Sequence, residues 1–443
     1  MNKTELLIIG AGPAGYQAAL HAARLGHQVV LAEKDQIGGT CLNRGCVPTK
    51  SLLEQAHQWA VSRQKADVQA MRQREQQTVQ KLREGIAQLL QSSRVQLIPE
   101  QVSIADAHHV CSTQGCWQAD HILIATGSAV ALPPIEGIEQ ALTSDDVLRM
   151  EQPLPQSVIL IGAGVIGMEL ADLYLDLGVQ VTILEAADRC LSMADRQISQ
   201  SLQMIFKRRG ATMIFNARVM RIENHRVEYE VGGQTAVIQA EAVVVATGRR
   251  PVLPECEVRL KTDQGRLVIS ETMQTSVPSI YAAGDAASTI QLAHYASAQA
   301  IAAVDHMFGV KNQTDLKTVP SCVYTHPQAA WVGLQQQQAH ELGIPLLTGK
   351  ASTLSNARAQ IDQAPRGFVR LLADGRNRQL IGGMIVGDHA CEWISTISLA
   401  IAQHLTVDQC RAVIFPHPSW SETLQEALLD FDGLAIHTIS TRR

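Results

Sequence analysis

The chain opens with an apolar run, Leu6-Leu7-Ile8-Ile9, that does not alternate with polar residues. Such a run predicts a strand buried on both faces, as in a parallel sheet. A helix over Tyr16–Leu25 follows, is stopped by Gly26, and leads into a second strand over Gln28–Ala32. The same order returns further on: a strand Val158–Ile161, a helix running to Leu177, a stop at Gly178 and a strand Gln180–Leu184. Two more apolar runs, His121–Ala125 and Ala242–Ala246, each close on Thr-Gly, at Thr126-Gly127 and Thr247-Gly248. Between the first two units, Glu54–Val95 is polar and free of proline. There Val68, Met71, Val79, Leu82, Ile86 and Leu89 recur at helical spacing, predicting one or two long amphipathic helices.

Beyond Val319 the pattern changes to shorter strands, over Ser321–Tyr324, Gly367–Leu372 and Leu380–Val386. Helices over Ala390–Gln403 and Thr406–Val413 follow. The prediction is an α/β protein with two tandem dinucleotide-type units and a C-terminal α+β domain. Leu132-Pro133-Pro134 and Pro153-Leu154-Pro155 mark the first boundary. The expected spans are 1–150, 151–268, a return to the first unit over 269–318, and 319–443.

Each of the two repeated units carries a glycine motif at the turn from strand to helix. The first is Gly10, Gly12 and Gly15; the second is Gly162, Gly164 and Gly167. Glycines so placed allow a tight turn and close approach to a pyrophosphate on the helix N-terminus. Glu33 and Glu185 each end the second strand of their unit, eighteen residues past the last glycine. A carboxylate there accepts hydrogen bonds from ribose hydroxyls and repels a 2′-phosphate, so the second site favours NAD over NADP. Arg189 is close enough in sequence to blur that preference.

Charge and composition narrow the partners. Among 443 residues 46% are apolar and 18% charged, with a formal net charge of −5. That balance argues against nucleic acid or an anionic membrane surface. There is no apolar run long enough to span a bilayer, and the chain enters its first strand almost at once, so a cytoplasmic protein is expected.

Nine cysteines are present. Cys41 and Cys46 bracket four residues, and Pro48 marks the first turn of a helix. A thiol at a helix N-terminus is shifted toward thiolate, and Lys50 lies one turn on, on the same face. On local pattern this pair fits a redox dithiol, a structural disulfide, half a zinc site or two unrelated thiols. A dithiol that works in electron transfer needs an acceptor in contact, and this one follows only the first glycine motif. That places a flavin at the first site and a nicotinamide at the second. The other seven cysteines are expected to be inert core thiols. Cys111 and Cys116 repeat the spacing, but Ser112-Thr113-Gln114-Gly115 reads as a hairpin turn rather than a second redox pair.

Two further motifs carry candidate chemistry. Gly284-Asp285 closes the strand ending Tyr281-Ala282-Ala283, and is either a cofactor contact or an ordinary turn. His417 with Glu422 opens the last helix, where Ser419-x-x-Glu422 also fits a capping box. Thiol–disulfide exchange needs a base, and His417 is the histidine with an acid placed to orient it.

Cys41-Leu-Asn-Arg-Gly-Cys46-Val-Pro-Thr-Lys50, both glycine motifs, Gly284-Asp285, Gln291-Leu292-Ala293-His294, Val323-Tyr-Thr-His-Pro327 and His417-Pro-Ser-Trp-Ser-Glu422 together resemble the flavin-dependent pyridine nucleotide–disulfide oxidoreductases. The likeness spans essentially the whole chain and is greatest to members that oxidise dihydrolipoyl groups. It implies FAD and NAD as cofactors, and a homodimer whose C-terminal domain brings His417 to the partner's dithiol. It also implies a lipoyl-bearing acyltransferase or carrier protein of a multienzyme complex as the partner.

By the same resemblance Cys41 is the interchange thiol and Cys46 the flavin-side thiol of a redox disulfide. Lys50 would contact the flavin and pair with Glu169, while Glu422 would orient His417. Thr126, Gly127, Ser128, Asp285 and Gln291, Leu292, Ala293 and His294 would line the FAD. Gly248 and Glu185 would line the NAD. Val252 and Trp420 depart from the usual pattern, and Trp420 is expected to bear on the substrate channel.

The rival within the family is an NADH-dependent reductase of a metal ion or a non-lipoyl disulfide. A mercuric reductase is disfavoured, since no cysteine follows Cys410 and no metal-binding extension precedes Leu6. A rival from another class, a nucleotide-binding scaffold without catalysis, is expected to lack the dithiol or the base.

Overall fold

The computed structural model describes residues 2–63, 66–151, 153–364 and 366–438. Its first sheet has Asn2–Ile9 at the centre, paired in parallel with Val29–Ala32 on one side and Gly115–Ile124 on the other. Leu6 and Ile8 point into one apolar cluster with Val29 and Leu31; Leu7 and Ile9 point into another with Val30 and Ile122. Both faces are therefore buried, as the unbroken apolar run requires. Each large apolar side chain so removed from water contributes roughly 1.5–3 kcal/mol. One face is covered by the helix Pro13–Arg24, which packs on Ala293–Met307 through alanines including Ala14, Ala18, Ala296 and Ala300.

The second sheet repeats this plan. Ser157–Ile161 lies between Gln180–Leu184 and Ala242–Val245, with Thr212–Ile214 and Leu142–Thr143 at the edges. Val158 and Leu160 face one cluster, which includes the helix Val165–Asp176, and Ile159 and Ile161 the other. On that second face an antiparallel ribbon of Arg218–Glu223, Arg226–Val231 and Gln234–Gln239 stands where the first unit has different cover.

The chain crosses between sheets slightly outside the expected spans. Leu142–Thr143 already pairs with the second sheet, and Glu255–Cys256 has already returned to the first, beside Ser103–Ile104. Ile280–Ala282 then pairs with Gly115–Ile124. The prolines and the Gly-Asp turn mark loops near these crossings, whereas two-residue edge strands carry no periodicity to read.

The C-terminal domain is a five-stranded antiparallel sheet, in the order Ser321–Val323, Ala329–Gly333, Leu380–Val386, Phe368–Asp374, Leu346–Ser352. Helices Ala390–Ala402, Val407–Arg411 and Glu422–Asp430 accompany it. The polar segment folds as two helices, Cys46–Ser62 and Val68–Ser92. Met71 and Val79 are buried and Ile86 packs on the core beside Leu90, but Leu82 and Leu89 are 45% and 47% exposed and lie off the packed face. Among the described residues no helix is long and apolar enough to cross a membrane.

Candidate active site

The two glycine turns are built alike down to individual atoms. In the first, Gly10 N–H donates to Ala32 O at 2.8 Å, and Glu33 accepts from Ala11 N–H at 2.7 Å and Asp35 N–H at 2.8 Å. In the second, Gly162 N–H donates to Leu184 O at 2.8 Å, and Glu185 accepts from Ala163 N–H at 2.6 Å and Ala187 N–H at 2.7 Å. The outer glycines are there for the fold. A Cβ on Gly15 would lie 1.7 Å from Gly10 O, and one on Gly167 would lie 2.0 Å from Gly162 O. The middle glycines differ, since a Cβ on Gly164 would meet nothing within 4 Å and one on Gly12 only Gly39 Cα at 3.9 Å. The open space above both helix N-termini is what a pyrophosphate occupies, so both turns fit a dinucleotide.

These turns open onto one cleft of about 2510 Å³. A typical small-molecule pocket is roughly 300–1,000 Å³, so the cleft has room for two dinucleotides. Its walls carry Cys41, Cys46, Lys50, Glu169, Glu33, Glu185, Thr126, Gly127, Ser128, Gly248, Asp285 and the run Gln291 to His294.

The dithiol is set by a broken helix. Gly39–Arg44 makes a short helix, Gly45 interrupts it, and Cys46 begins the longer one. Asn43 fixes this corner: its amide donates to Gly39 O at 2.8 Å and Ile37 O at 3.1 Å and accepts from Arg83 at 3.0 Å. The long polar helix that carries Arg83 thus braces the dithiol loop.

Cys41 and Cys46 are both thiols, and each shifts the ionisation of the other. Cys41 brings the Cys46 thiol down to about 7 against the opposing effect of burial, with Lys50 assisting. Cys46, together with burial, pushes Cys41 far above its ordinary range. The pair is chemically unequal.

Lys50 Nζ lies 2.7 Å and 2.9 Å from the two carboxylate oxygens of Glu169. Tyr324 N–H donates to the same carboxylate at 3.0 Å, and its ring lies 4.7 Å below the ammonium. Burial opposes the charge on Lys50, but Glu169 outweighs it and holds the lysine protonated.

Asp285 accepts a hydrogen bond from Ser128 Oγ at 2.5 Å, and burial raises its carboxyl above the usual range. Arg249 was not among the expected site residues. It donates to Ser128 Oγ at 2.9 Å and to Ser128 O at 2.8 Å, and reaches Thr40 at 3.4 Å, tying the dithiol loop to this corner. Its position after Gly248 in an Arg-Arg-Pro run was the available signal. Arg189 donates to Asp188 at 3.0 Å and to Ser192 O at 2.7 Å.

His417 Nδ1 and Glu422 Oε1 are 2.8 Å apart, and Glu422 also accepts from Ser419 N–H at 2.9 Å. Ser421, not Ser419, precedes the first helical residue, and Ser419 Oγ turns back to Pro416 O. The expected full capping box is therefore not formed, and Glu422 is free to hold the imidazole. His417 is exposed and does not line the cleft of its own chain. Trp420, expected at the substrate channel, is 8% exposed and donates to Asp362 at 3.0 Å within the C-terminal core.

The other cysteines correct the expectation of seven inert thiols. Cys111 and Cys116 do flank a hairpin turn, but as directly opposed residues they form a disulfide. Cys322 and Cys391 pack into one apolar cluster on the wall of the cleft. Cys190, buried and raised to about 11 by burial, and buried Cys410 remain core thiols.

The chain matches the pyridine nucleotide-disulphide oxidoreductase family over residues 4–300 and that family's dimerisation domain over residues 319–428. It belongs to this family of flavin- and nicotinamide-dependent oxidoreductases. A dihydrolipoyl dehydrogenase of Bacillus subtilis is 34% identical across 98% of this chain and 99% of its own. That of Geobacillus stearothermophilus is 32% identical across 99% and 98%. Among solved structures, the HOCl-induced flavoprotein disulfide reductase RclA of Escherichia coli superposes with a TM-score of 0.87 at 27% identity, covering 96% of this chain and 99% of its own. LpdA of Mycobacterium tuberculosis gives 0.87 at 27%, covering 97% and 99%.

Proposed function

We propose that the protein is a dihydrolipoyl dehydrogenase acting as a homodimer on a lipoyl-bearing acyltransferase or carrier protein in the cytoplasm. The observation that carries this reading is the unequal Cys41–Cys46 pair beside Lys50, on a cleft that also holds both glycine cradles.

The first cradle, with Glu33, Lys50, Thr126, Gly127, Ser128, Asp285 and Gln291 to His294, would hold FAD. The second, with Gly248 and Glu185, would hold NAD. When bound, these cofactors supply the route by which an electron pair leaves the dithiol and departs as hydride. The protein's own part is thiol exchange and proton handling.

In the oxidised enzyme a dihydrolipoyl thiolate attacks Cys41 and the Cys41–Cys46 bond breaks, with Cys46 leaving as thiolate. That thiolate is the better leaving group because its thiol is the more acidic of the two. The second lipoyl sulfur then attacks the first, a ring disulfide forms, and Cys41 departs. His417 of the partner subunit, oriented by Glu422, takes the proton released in the first attack, and the proton of the second lipoyl thiol goes to Cys41 as that sulfur departs.

The RclA likeness keeps one rival in view, an NADH-dependent reductase of a metal ion or a non-lipoyl disulfide. Purified yellow protein should reduce NAD with dihydrolipoamide as donor, and NADP much more slowly because Glu185 faces the ribose. A bound flavin with no dihydrolipoamide turnover, but NADH oxidation in the presence of a metal ion or another disulfide, would favour the rival.

A further inference from the structure

Cys322 lies on the strand Ser321–Val323 and Cys391 is the second residue of the helix Ala390–Ala402. They are far apart in sequence, yet the fold packs both into one apolar cluster, with their thiols close enough to shift each other's ionisation. Cys391 Sγ is 3.8 Å from the carbonyl of Val323, the residue that follows Cys322, and 4.0 Å from Ala329 O. The Cys391 N–H is held by Gln328 at 3.1 Å, which anchors the helix start against the loop between the first two strands of this sheet. Cys391 is 9% exposed, Cys322 is half-buried, and both line the same cleft as Cys41 and Cys46.

This arrangement repeats the first dithiol around the same lysine. In each pair the two thiols shift each other in opposite directions, and Lys50 favours the thiolate of the one that is lowered. For Cys322 the effect of Cys391 outweighs burial and lowers the thiol below its ordinary value. Cys391 is pushed well above the usual thiol range by Cys322 and by burial. A thiolate-prone, solvent-reachable sulfur with a second thiol close by is the combination that marks an oxidisable pair with its own resolving cysteine. The pair sits in a wall, with one member almost enclosed. A water-sized oxidant reaches it more readily than a bulky disulfide does.

We propose that Cys322 and Cys391 form a second redox-active dithiol, converted to a disulfide by hydroperoxides. The Cys322 thiolate attacks one peroxide oxygen; the O–O bond breaks, a sulfenic acid forms, and the departing hydroxide takes a proton to become water. The Cys391 sulfur then attacks the Cys322 sulfur. The S–S bond forms, the S–O bond breaks, and the leaving hydroxide departs as a second water with the Cys391 proton. Two electrons pass from the pair of sulfurs to hydrogen peroxide, and a thiol reductant reverses the change. The product covalently ties the strand Ser321–Val323 to the start of the helix Ala390–Ala402 in the cleft wall.

The test uses the full-length holoenzyme, reduced with dithiothreitol, freed of reductant, and exposed to hydrogen peroxide. Remaining thiols are alkylated under denaturing conditions, and the protein is digested without reduction for peptide mass spectrometry. A linked Cys322–Cys391 peptide should appear with peroxide and disappear with dithiothreitol. In the Cys391→Ser variant, Cys322 should instead be trapped by dimedone as its sulfenic-acid adduct. Full alkylation of Cys322 and Cys391 after peroxide, with only other cysteines linked, would overturn the proposal. Dimedone labelling of Cys322 equal in the wild type and in Cys391→Ser would overturn it as well, since Cys391 would then resolve nothing.

Discussion

Lys50 and Glu169 join the helix that begins at Cys46 to the helix that begins at the second glycine turn, through contacts of 2.7 and 2.9 Å. The Glu169 side chain is only 4% exposed, whereas that of Lys50 is 31% exposed. One ion pair thus ties the dithiol helix to the second glycine turn. Lys50→Met leaves a nearly buried carboxylate with Tyr324 N–H as its remaining close donor. The expected loss of stability is about 3 kcal/mol, the low end for a stranded buried charge because Lys50 is partly in water. Urea unfolding should show a lower midpoint with an unchanged slope. The same substitution should raise the pH at which Cys46 becomes reactive toward iodoacetamide, since Lys50 stabilises its thiolate. An unmoved midpoint together with an unmoved alkylation profile would mean that the pair does neither job.

The position of His417 makes a prediction about subunits. It is exposed and stands outside the cleft of its own chain, so as the proposed base it would reach a dithiol only across a two-fold interface. His417→Ala should lower dihydrolipoamide turnover by about 10²–10⁴-fold, the usual contribution of an acid–base group, while NADH still reduces the flavin. Mixing His417→Ala with Cys41→Ser subunits should restore turnover, because one of the two sites in each hybrid dimer then pairs an intact dithiol with an intact base. Hybrids as inactive as their parents would place the base elsewhere.

A second contact between the same two helices depends on pH. His57 Nδ1 is 3.4 Å from Asp176, and its ring stacks on His326 at 3.7 Å between centroids. Arg209 binds both Asp172 and Asp176 beneath them. The bond to Asp176 outweighs burial and raises the His57 imidazole above its ordinary value. Its contribution to stability is therefore full below the unfolded value of about 6.5 and is lost as pH rises through the higher folded value. His57→Asn should cost roughly 0.5–1 kcal/mol in mildly acidic buffer, the upper range for a partly exposed pair, and markedly less in mildly alkaline buffer. Thermal or urea unfolding at the two pH values measures it; a difference that grows with pH would reverse the assignment.

Much of this site is legible in the sequence because its parts are local. A glycine turn, its strand, its helix and the closing Glu33 or Glu185 lie within a short stretch, and hydrophobic period and glycine placement define each. The Cys41–Cys46 loop and Lys50 likewise lie within one short stretch of chain. Contacts made by distant segments leave no such trace. Arg249 reaches Ser128 and Thr40, and Cys322 meets Cys391, only once the sheets have formed. The strand Ala329–Gly333 is short and rich in small residues, and Leu346–Ser352 mixes apolar, small and polar ones, so periodicity does not single them out. Cys111 and Cys116 show the same limit in reverse, because the turn is local and readable while the bond depends on strand register. Trp420 turns inward because Asp362, brought up by another segment, accepts its N–H.

In the proposed function Cys46 is the thiolate poised toward the flavin and Cys41 the thiol facing substrate. Partial reduction of the purified protein should give a long-wavelength thiolate-to-flavin charge-transfer band. Cys46→Ser should abolish that band, while Cys41→Ser, which leaves the thiolate in place, should retain it without any reductant. A band that survives in Cys46→Ser and vanishes in Cys41→Ser would contradict the account.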